Sequence, residues 1–282
     1  MKKKLFSNDY LSIAHTISDM SSSPVNYEMH IHDSYELYYF LQGDVTYYIE
    51  GQGYKIEAKD LLIINNNELH RPIFNSNIAY ERITIHFIPW YFTRYSSKKF
   101  NLLACFEERK LGQSNQIPKD SVIKYRLDKH YIKIMDYINS NTKEANIMIE
   151  TLFIQLLVKV NKIFQHHENI QTQSTDYDEK VLKIINFINN NLEKKISLDL
   201  LEKNFYLNKY YLSHLFKENT GFSVQQYINY KKIMKAKELL SQDLSCSDVC
   251  NKLSFGDYSN FYKAFKKNVG FSPQKYKQNN II

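Results

Sequence analysis

Hydrophobic and polar residues alternate through residues 27–90, a region rich in Tyr, Ile and Phe. Turn-forming clusters interrupt it at short intervals: Asp33-Ser34, Gln42-Gly43-Asp44, Gly51-Gln52-Gly53, Lys59-Asp60 and Asn65-Asn66-Asn67. A period of two with such punctuation predicts many short antiparallel strands, in a sandwich or barrel. The period then lengthens. Leu127, Tyr131, Ile134 and Ile138 recur at helical spacing over 125–139, and Ile149, Leu152, Phe153, Leu156, Leu157, Val160 and Phe164 form a broad stripe over 147–164. One face of that second helix covers the sheet, and its breadth also suits pairing with a second copy. Residues 169–177, NIQTQSTDY, are polar and aperiodic and are expected to be a linker.

From there the pattern is helical. Asp176 or Asp178 can cap a helix carrying Val181, Ile184, Ile185 and Ile188. Ser197 opens a helix to about Phe205, and Asn208 opens the next, to Asn219, with Gly221 for a left-handed stop. Ser223 with Gln226 forms a capping box for a long helix to about Ser241. Helices near 246–253 and 257–268 follow, then Gly270, and Ser272 with Pro273 at a first helical position. Part of this is repeated. YLSHLFKENTGFSVQQYI at 211–228 and NFYKAFKKNVGFSPQKYK at 260–277 share eight identical positions in register, among them Phe216/Phe265, Lys217/Lys266, Gly221/Gly270 and Ser223/Ser272. A fixed offset means one supersecondary unit used twice.

Composition narrows the class. The 282 residues allow two domains, each with its own core. No apolar run is long enough for a transmembrane helix, and Met1-Lys2-Lys3-Lys4 is not followed by the apolar core of a secretory signal. Three cysteines without disulfide or zinc spacing fit a reducing compartment, so the expected location is the cytoplasm. From residue 178 onward there are 17 Lys and 10 Asp/Glu, which accounts for the chain's entire +7 formal charge. Charge concentrated on one helical segment suits a polyanion, because phosphate neutralisation releases counterions.

A short helix, a turn, a helix ending in F-K-x-x-x-G-F-S, a long connecting helix and a second copy together resemble the AraC/XylS transcription regulators, with 198–242 and 245–277 as the two helix-turn-helix units. The resemblance implies an α+β protein of two domains. Residues 1–120 would form a cupin-like effector-binding barrel and 121–168 a helical packing and dimerisation segment. After the 169–177 linker, 178–282 would form an all-α DNA-binding domain with a long helix joining its two units. It places Tyr210, Ser213 and His214, then Tyr258, Ser259, Asn260, Tyr262 and Lys263, at base edges. Lys209, Lys217, Lys266 and Lys267 suit phosphates, which position without specifying. Two departures mark the first unit. Glu202 stands where the family usually has a small residue, whereas the second copy keeps Cys250, and the turn glycine is replaced by Tyr206 and Ser254.

In the strand region, His30-Ile31-His32, Glu36 and Gly43 match the first cupin motif, while of the second only His70 survives. On a strand, 30, 32 and 36 share a face. Three readings stay open: a metal-free effector pocket of His30, His32, Glu36, Tyr38, His70 and His86, a satisfied structural cluster, or a transition metal on His30, His32, Glu36 and His70. Tyr47 and Glu81 could add polar or stacking contacts. No metal, cofactor or catalytic residue is expected. The reading is a ligand-responsive activator that binds promoter DNA as a homodimer, engages RNA polymerase and takes a small-molecule effector, for which abundant Tyr permits a carbohydrate. The alternatives are a metal-dependent cupin enzyme and a regulator with a ligand-free structural barrel.

Overall fold

The computed structural model describes residues 2–20, 32–140, 142–166, 174–175, 179–220 and 222–279. The chain divides into two compact units, Met1–Thr175 and Asp176–Ile282. Among the described residues no helix is long and apolar enough to cross a membrane. His30, Asp176, Asp178 and Gly221 lie outside the described residues.

The first unit begins with strands β1 (Lys2–Ser7), β2 (Leu11–Ser18), β3 (Tyr35–Gln42), β4 (Val45–Ile49), β5 (Gln52–Ile56), β6 (Leu61–Ile64), β7 (His70–Phe74) and β8 (Tyr80–Phe87). Short helices α1 (Pro89–Phe92) and α2 (Ala104–Glu107), strand β9 (Gln116–Ile117) and helices α3 (Lys119–Lys124), α4 (Leu127–Ser140) and α5 (Ala145–Gln165) follow, and β10 (Ser174–Thr175) closes the unit. The ladders are antiparallel and form a six-stranded sheet, β1-β2-β8-β3-β6-β9, and a four-stranded one, β10-β5-β4-β7.

The expected barrel is not closed, because no ladder joins the two sheets among the described residues. Between β3 and β8 the chain passes from one sheet to the other at several turns, so side chains, not a hydrogen-bonded seam, fill the space between. The turn from β3 to β4 favours Gly43, because at its φ of +140° any side chain is strained and an added Cβ would come to a tight 3.3 Å from the Phe40 ring. Two further expectations change. The strand region extends ahead of residue 27, because β1 and β2, within residues 2–18, pair with one another and complete the wide sheet beside β8. In the expected linker, Ser174 and Thr175 pair with Tyr54 and Gly53 of β5.

The pleat gives the wide sheet two chemistries. One face carries Leu11, Ile13, Leu37, Tyr39, Ile83, Ile85 and Phe87 into a core shared with Tyr131 and Ile134 of α4 and Ile149, Phe153, Leu156 and Val160 of α5. The expected helical stripes therefore cover the sheet. A second cluster, with Phe40, Val45, Ile49, Tyr54, Leu62 and Ile64, fills part of the space between the sheets.

A buried ion pair ties the chain before β7 to the segment after α2. Glu68 is fully buried and its carboxylate binds the Arg109 guanidinium, with Nη1 at 2.5 Å from Oε1. It also accepts from the backbone N–H of Gly112 (2.8 Å) and Asn65 (2.9 Å). Burial alone would raise the Glu68 carboxyl, but Arg109 and the N–H donors outweigh it and hold it below the usual range.

The second unit is helical: α6 (Glu179–Asn190), α7 (Leu198–Phe205), α8 (Lys209–Thr220), α9 (Val224–Ser241), α10 (Cys246–Lys252), α11 (Tyr258–Val269) and α12 (Pro273–Asn279). The caps read from sequence form. Ser197 accepts from Leu200 N, Asn208 from Tyr211 N at 2.8 Å, and Ser223 with Gln226 makes the reciprocal box. Gly270 ends α11 in the left-handed region, at φ +82°. The connecting helix α9 is buried nearly all round, including Lys231 and Lys232. Lys232 Nζ donates to the carbonyls of Lys194 at 3.3 Å and Ser254 at 3.1 Å. Ser254 Oγ in turn donates to the Glu193 carbonyl at 2.6 Å.

Arg109→Ala should cost about 3–5 kcal/mol in urea unfolding, because it strands a buried carboxylate. The stabilisation from Glu68 is present above its ordinary value of 4.5 and fades as pH falls through the depressed folded value, so the mutational cost should shrink in acid.

Candidate effector cavity and DNA interface

A cavity of about 400 Å³ opens on the other face of the wide sheet. Even-numbered residues of β8 line it (Tyr80, Arg82, Thr84 and His86), with Glu36 and Tyr38 of β3, Ser12, Ala14 and Thr16 of β2, and Lys3 and Leu5 of β1. Tyr47 and Pro72 come from the narrow sheet. Small side chains at 12, 14, 16 and 84 leave the space, and aromatic rings wall it. Tyr38 and Tyr80 share a 2.5 Å hydroxyl contact at its edge.

Three imidazoles converge on Glu36. Its Oε2 lies 3.2 Å from His32 Nε2 and 3.3 Å from His70 Nε2, and Oε1 lies 3.7 Å from His86 Nε2. His32 Nδ1 faces the Ser34 carbonyl at 2.8 Å and His70 Nδ1 the Glu68 carbonyl at 2.8 Å, which orients both rings toward the carboxylate. Burial alone would raise the Glu36 carboxyl. His86, His32 and His70 outweigh it and hold it well below the usual range. Burial would lower His32, but its bond to Glu36 raises it above the usual histidine value. His86 has no comparably close partner, and burial lowers it. The ligand atoms of His32, Glu36 and His86 lie within 4.8 Å of one another, a donor set chemically suited to a divalent transition metal.

The sequence-predicted pocket residues therefore divide. Glu36, Tyr38 and His86 line the cavity, while His32 and His70 reach it through Glu36. His32 precedes β3 instead of lying on it. Tyr47 also lines the cavity, but Glu81 does not. Its odd position puts it on the opposite face, where it binds His15 at 2.6 Å. Sequence reasoning missed Lys3, Thr16, Arg82 and Thr84. The alternation Tyr80-Arg82-Thr84-His86 against Ile83-Ile85-Phe87 was the available signal.

In the second unit, Leu212 and Phe216 of α8 and Phe261 and Phe265 of α11 are buried. That burial turns an i, i+3, i+4, i+7 stripe outward on each helix. On α8 it is Tyr210, Ser213, His214 and Lys217, and at the matching register of α11 it is Ser259, Tyr262, Lys263 and Lys266. Ser213 and Tyr262 are half-buried and the other six exposed, as is Lys267. His214 Nδ1 lies 3.2 Å from Glu218. The remaining expectations are met by competing partners. The Lys209 ammonium binds Asp199 of α7, the Asn260 amide donates to Asp257 at 2.7 Å, and the Tyr258 hydroxyl contacts Cys246.

Two family models match the chain. The AraC-like ligand binding domain covers residues 22–157 and the Helix-turn-helix domain covers 201–279. The chain belongs to the AraC family. It is thus similar to DNA-binding transcription regulators that carry a ligand-binding domain. The HTH-type transcriptional activator RhaS of Klebsiella pneumoniae is 24% identical over 251 residues, 88% of this chain and 87% of that one. The regulatory protein PocR of Salmonella typhimurium is 31% identical over 105 residues, 37% of this chain and 35% of its own. The crystal structure of apo ToxT from Vibrio cholerae has a TM-score of 0.38 and 14% identity, over 94% of this chain and 97% of that one.

Both departures from the usual AraC pattern have a local structural account. Glu202 Oε1 accepts the backbone N–H of Lys209 at 3.2 Å, so the larger side chain tethers α7 to the start of α8. Tyr206 (φ +54°) and Ser254 (φ +48°) adopt the left-handed conformation that glycine takes without strain. Tyr206 is 93% exposed and gains no packing in return. Tyr206→Gly should raise stability by about 0.5–1 kcal/mol in thermal unfolding, strain relief exceeding added chain entropy.

Glu36→Gln should lower Tm more at pH 6 than at pH 9. His32 has a raised folded value, so its stabilisation is fully present below about 6.5 and is lost as pH rises through that value. Equal losses at both pH values would contradict the charged pairing.

Proposed function

We propose that the chain is an effector-responsive transcription activator whose recognition helices are α8 and α11. The observation that carries this is the matched outward stripe, set at the same register of both helices by the same buried aromatic positions. The major groove admits an α-helix, and two units joined by a helix suit successive groove segments. Tyr210, Ser213 and His214, with Ser259, Tyr262 and Lys263, are assigned to base edges. Lys217, Lys266 and Lys267 are assigned to phosphates. The stripes differ in all but their last residue, so the two units read different bases.

Activation, in place of repression, follows the likeness to RhaS, named as an activator. Contact with RNA polymerase completes that reading. A homodimer would form through the outer side of α4 and α5, where Ile132 and Ile147 are exposed. Glu36, Tyr38 and His86, with His32 and His70 behind them, form the polar end of a metal-free effector cavity, and the protein is not an enzyme. Ligand binding there acts on transcription only if it favours one arrangement of the protein over another.

The test is footprinting on a promoter recovered by immunoprecipitation from cells. His214→Ala and Lys263→Ala should abolish the specific footprint, at roughly 1–3 kcal/mol each. Lys266→Ala should weaken binding to all sequences and reduce the salt slope by about 1. Equal affinity for target and random DNA at moderate salt would sink the proposal.

A further inference from the structure

We infer that a pocket at the junction of the two helix-turn-helix units holds one backbone phosphate of bound DNA, an inference that rests on the DNA-binding reading above. The pocket has a volume of about 340 Å³ and draws its polar lining from three parts of the chain. Lys195 precedes α7, Gln225, Asn229 and Lys232 lie on α9, and Ser254 and Asn260 come from the turn before α11 and from α11 itself. Ile196, Ile228 and Phe255 supply the apolar part of the wall. No carboxylate lines it among the described residues. Two acids close by in sequence are engaged elsewhere. Asp257 accepts from the backbone N–H of Asn260 at 2.7 Å as the cap of α11, and the Glu193 carboxylate lies 3.6 Å from Lys252 Nζ.

Lys232 decides the chemistry of this pocket. Its side chain is buried, at 5% exposure, and a buried charge ordinarily carries a counter-charge. Its partners are instead two neutral carbonyls, of Lys194 and Ser254, which take two of the three N–H donors of the ammonium. Burial holds it below the usual lysine value, and no carboxylate offsets that. A second ammonium, from Lys195, shares the pocket with the amide groups of Gln225, Asn229 and Asn260. Two cations and several neutral donors without an anion suit a phosphate, whose oxygens accept from all of them. The position of the pocket names the source of that phosphate. Asn260 lies on α11 between Ser259 and Tyr262 of the outward stripe, while Lys195 leads into α7 of the first unit. Both units therefore line one pocket. With α8 and α11 in successive major-groove segments, the backbone of the intervening groove passes the junction. A phosphate held there sets the register of both units on the duplex and reads no base.

The experiment uses the full chain on the promoter segment recovered for footprinting. Phosphates between the α8 and α11 footprints are replaced one at a time by neutral methylphosphonates. One position should cost about tenfold in affinity, the worth of one charge-assisted hydrogen bond. Lys195→Gln, at an exposed position, should reduce the salt slope by about 1 on target and random DNA alike. In that variant the same methylphosphonate should cost no more than about twofold, because the two losses remove one shared contact. Asn229→Asp keeps the oxygen that accepts from Gln225 at 3.0 Å and places a carboxylate in the pocket with Lys232. It should raise Tm by supplying a counter-charge and weaken DNA binding about tenfold by excluding the phosphate, opposite movements that a merely structural position would not give. The inference is overturned if no phosphate between the footprints is sensitive, if the sensitivity survives Lys195→Gln, or if Asn229→Asp leaves DNA affinity unchanged. Calorimetry with glucose 6-phosphate tests the other source of a phosphate. Saturable binding that Lys195→Gln abolishes, with no sensitive position in the DNA, would give the pocket to a small ligand and overturn the inference. A specific footprint that His214→Ala abolishes would in each of these cases keep the DNA-binding reading and discard only the pocket, whereas the absence of any specific footprint would discard both.

Discussion

Each structural element here must bury one face, and the opposite face is then free for chemistry. In the wide sheet the odd positions of β8 and β3 and their neighbours on β2 bury Ile, Leu, Phe and Tyr against α4 and α5. The even positions are thereby committed to the space between the sheets, where Arg82, Thr84, His86 and Glu36 line a cavity. In α8 and α11, burying Leu212, Phe216, Phe261 and Phe265 aims the polar stripes outward. The apolar contacts supply the stability, about 25 cal/mol per Å² of buried surface. They also dictate which side chains are left for recognition.

Polar groups inside this framework are held by fixed partners. Glu68 stays ionised in the interior because Arg109 and backbone N–H groups surround it, and through His70 the same segment orients an imidazole toward Glu36. Lys232 plays a comparable part in the second unit. Its ammonium joins the carbonyls of Lys194 and Ser254, one ahead of the first helix-turn-helix and one at the turn of the second. A buried cation on the connecting helix thus links the segment before α7 to the turn between α10 and α11.

Local signals were legible where a short stretch decides the outcome. Ser197, Asn208, Ser223 with Gln226 and Gly270 cap or end helices because their partners lie within a few residues. The stripes of 125–139 and 147–164 were equally plain. What escaped was pairing across long separations. The alternation read over 27–90 did not reach β1 and β2, whose strand character is realised only beside β8. Glu81 looked available to a ligand until the register put it with His15 on the other face.

The sequence by itself determined the two-domain plan, the helix boundaries of the duplicated unit, its basic charge and the residues that α8 and α11 turn outward. Each follows from periodicity, capping and composition, which act within a few turns of chain. The tertiary structure alone decided that no ladder joins the two sheets among the described residues, that three imidazoles share one carboxylate, and that Lys3, Thr16 and Arg82 stand in a row. Those outcomes depend on strand register and sheet order, and a one-residue slip would send each side chain to the opposite face.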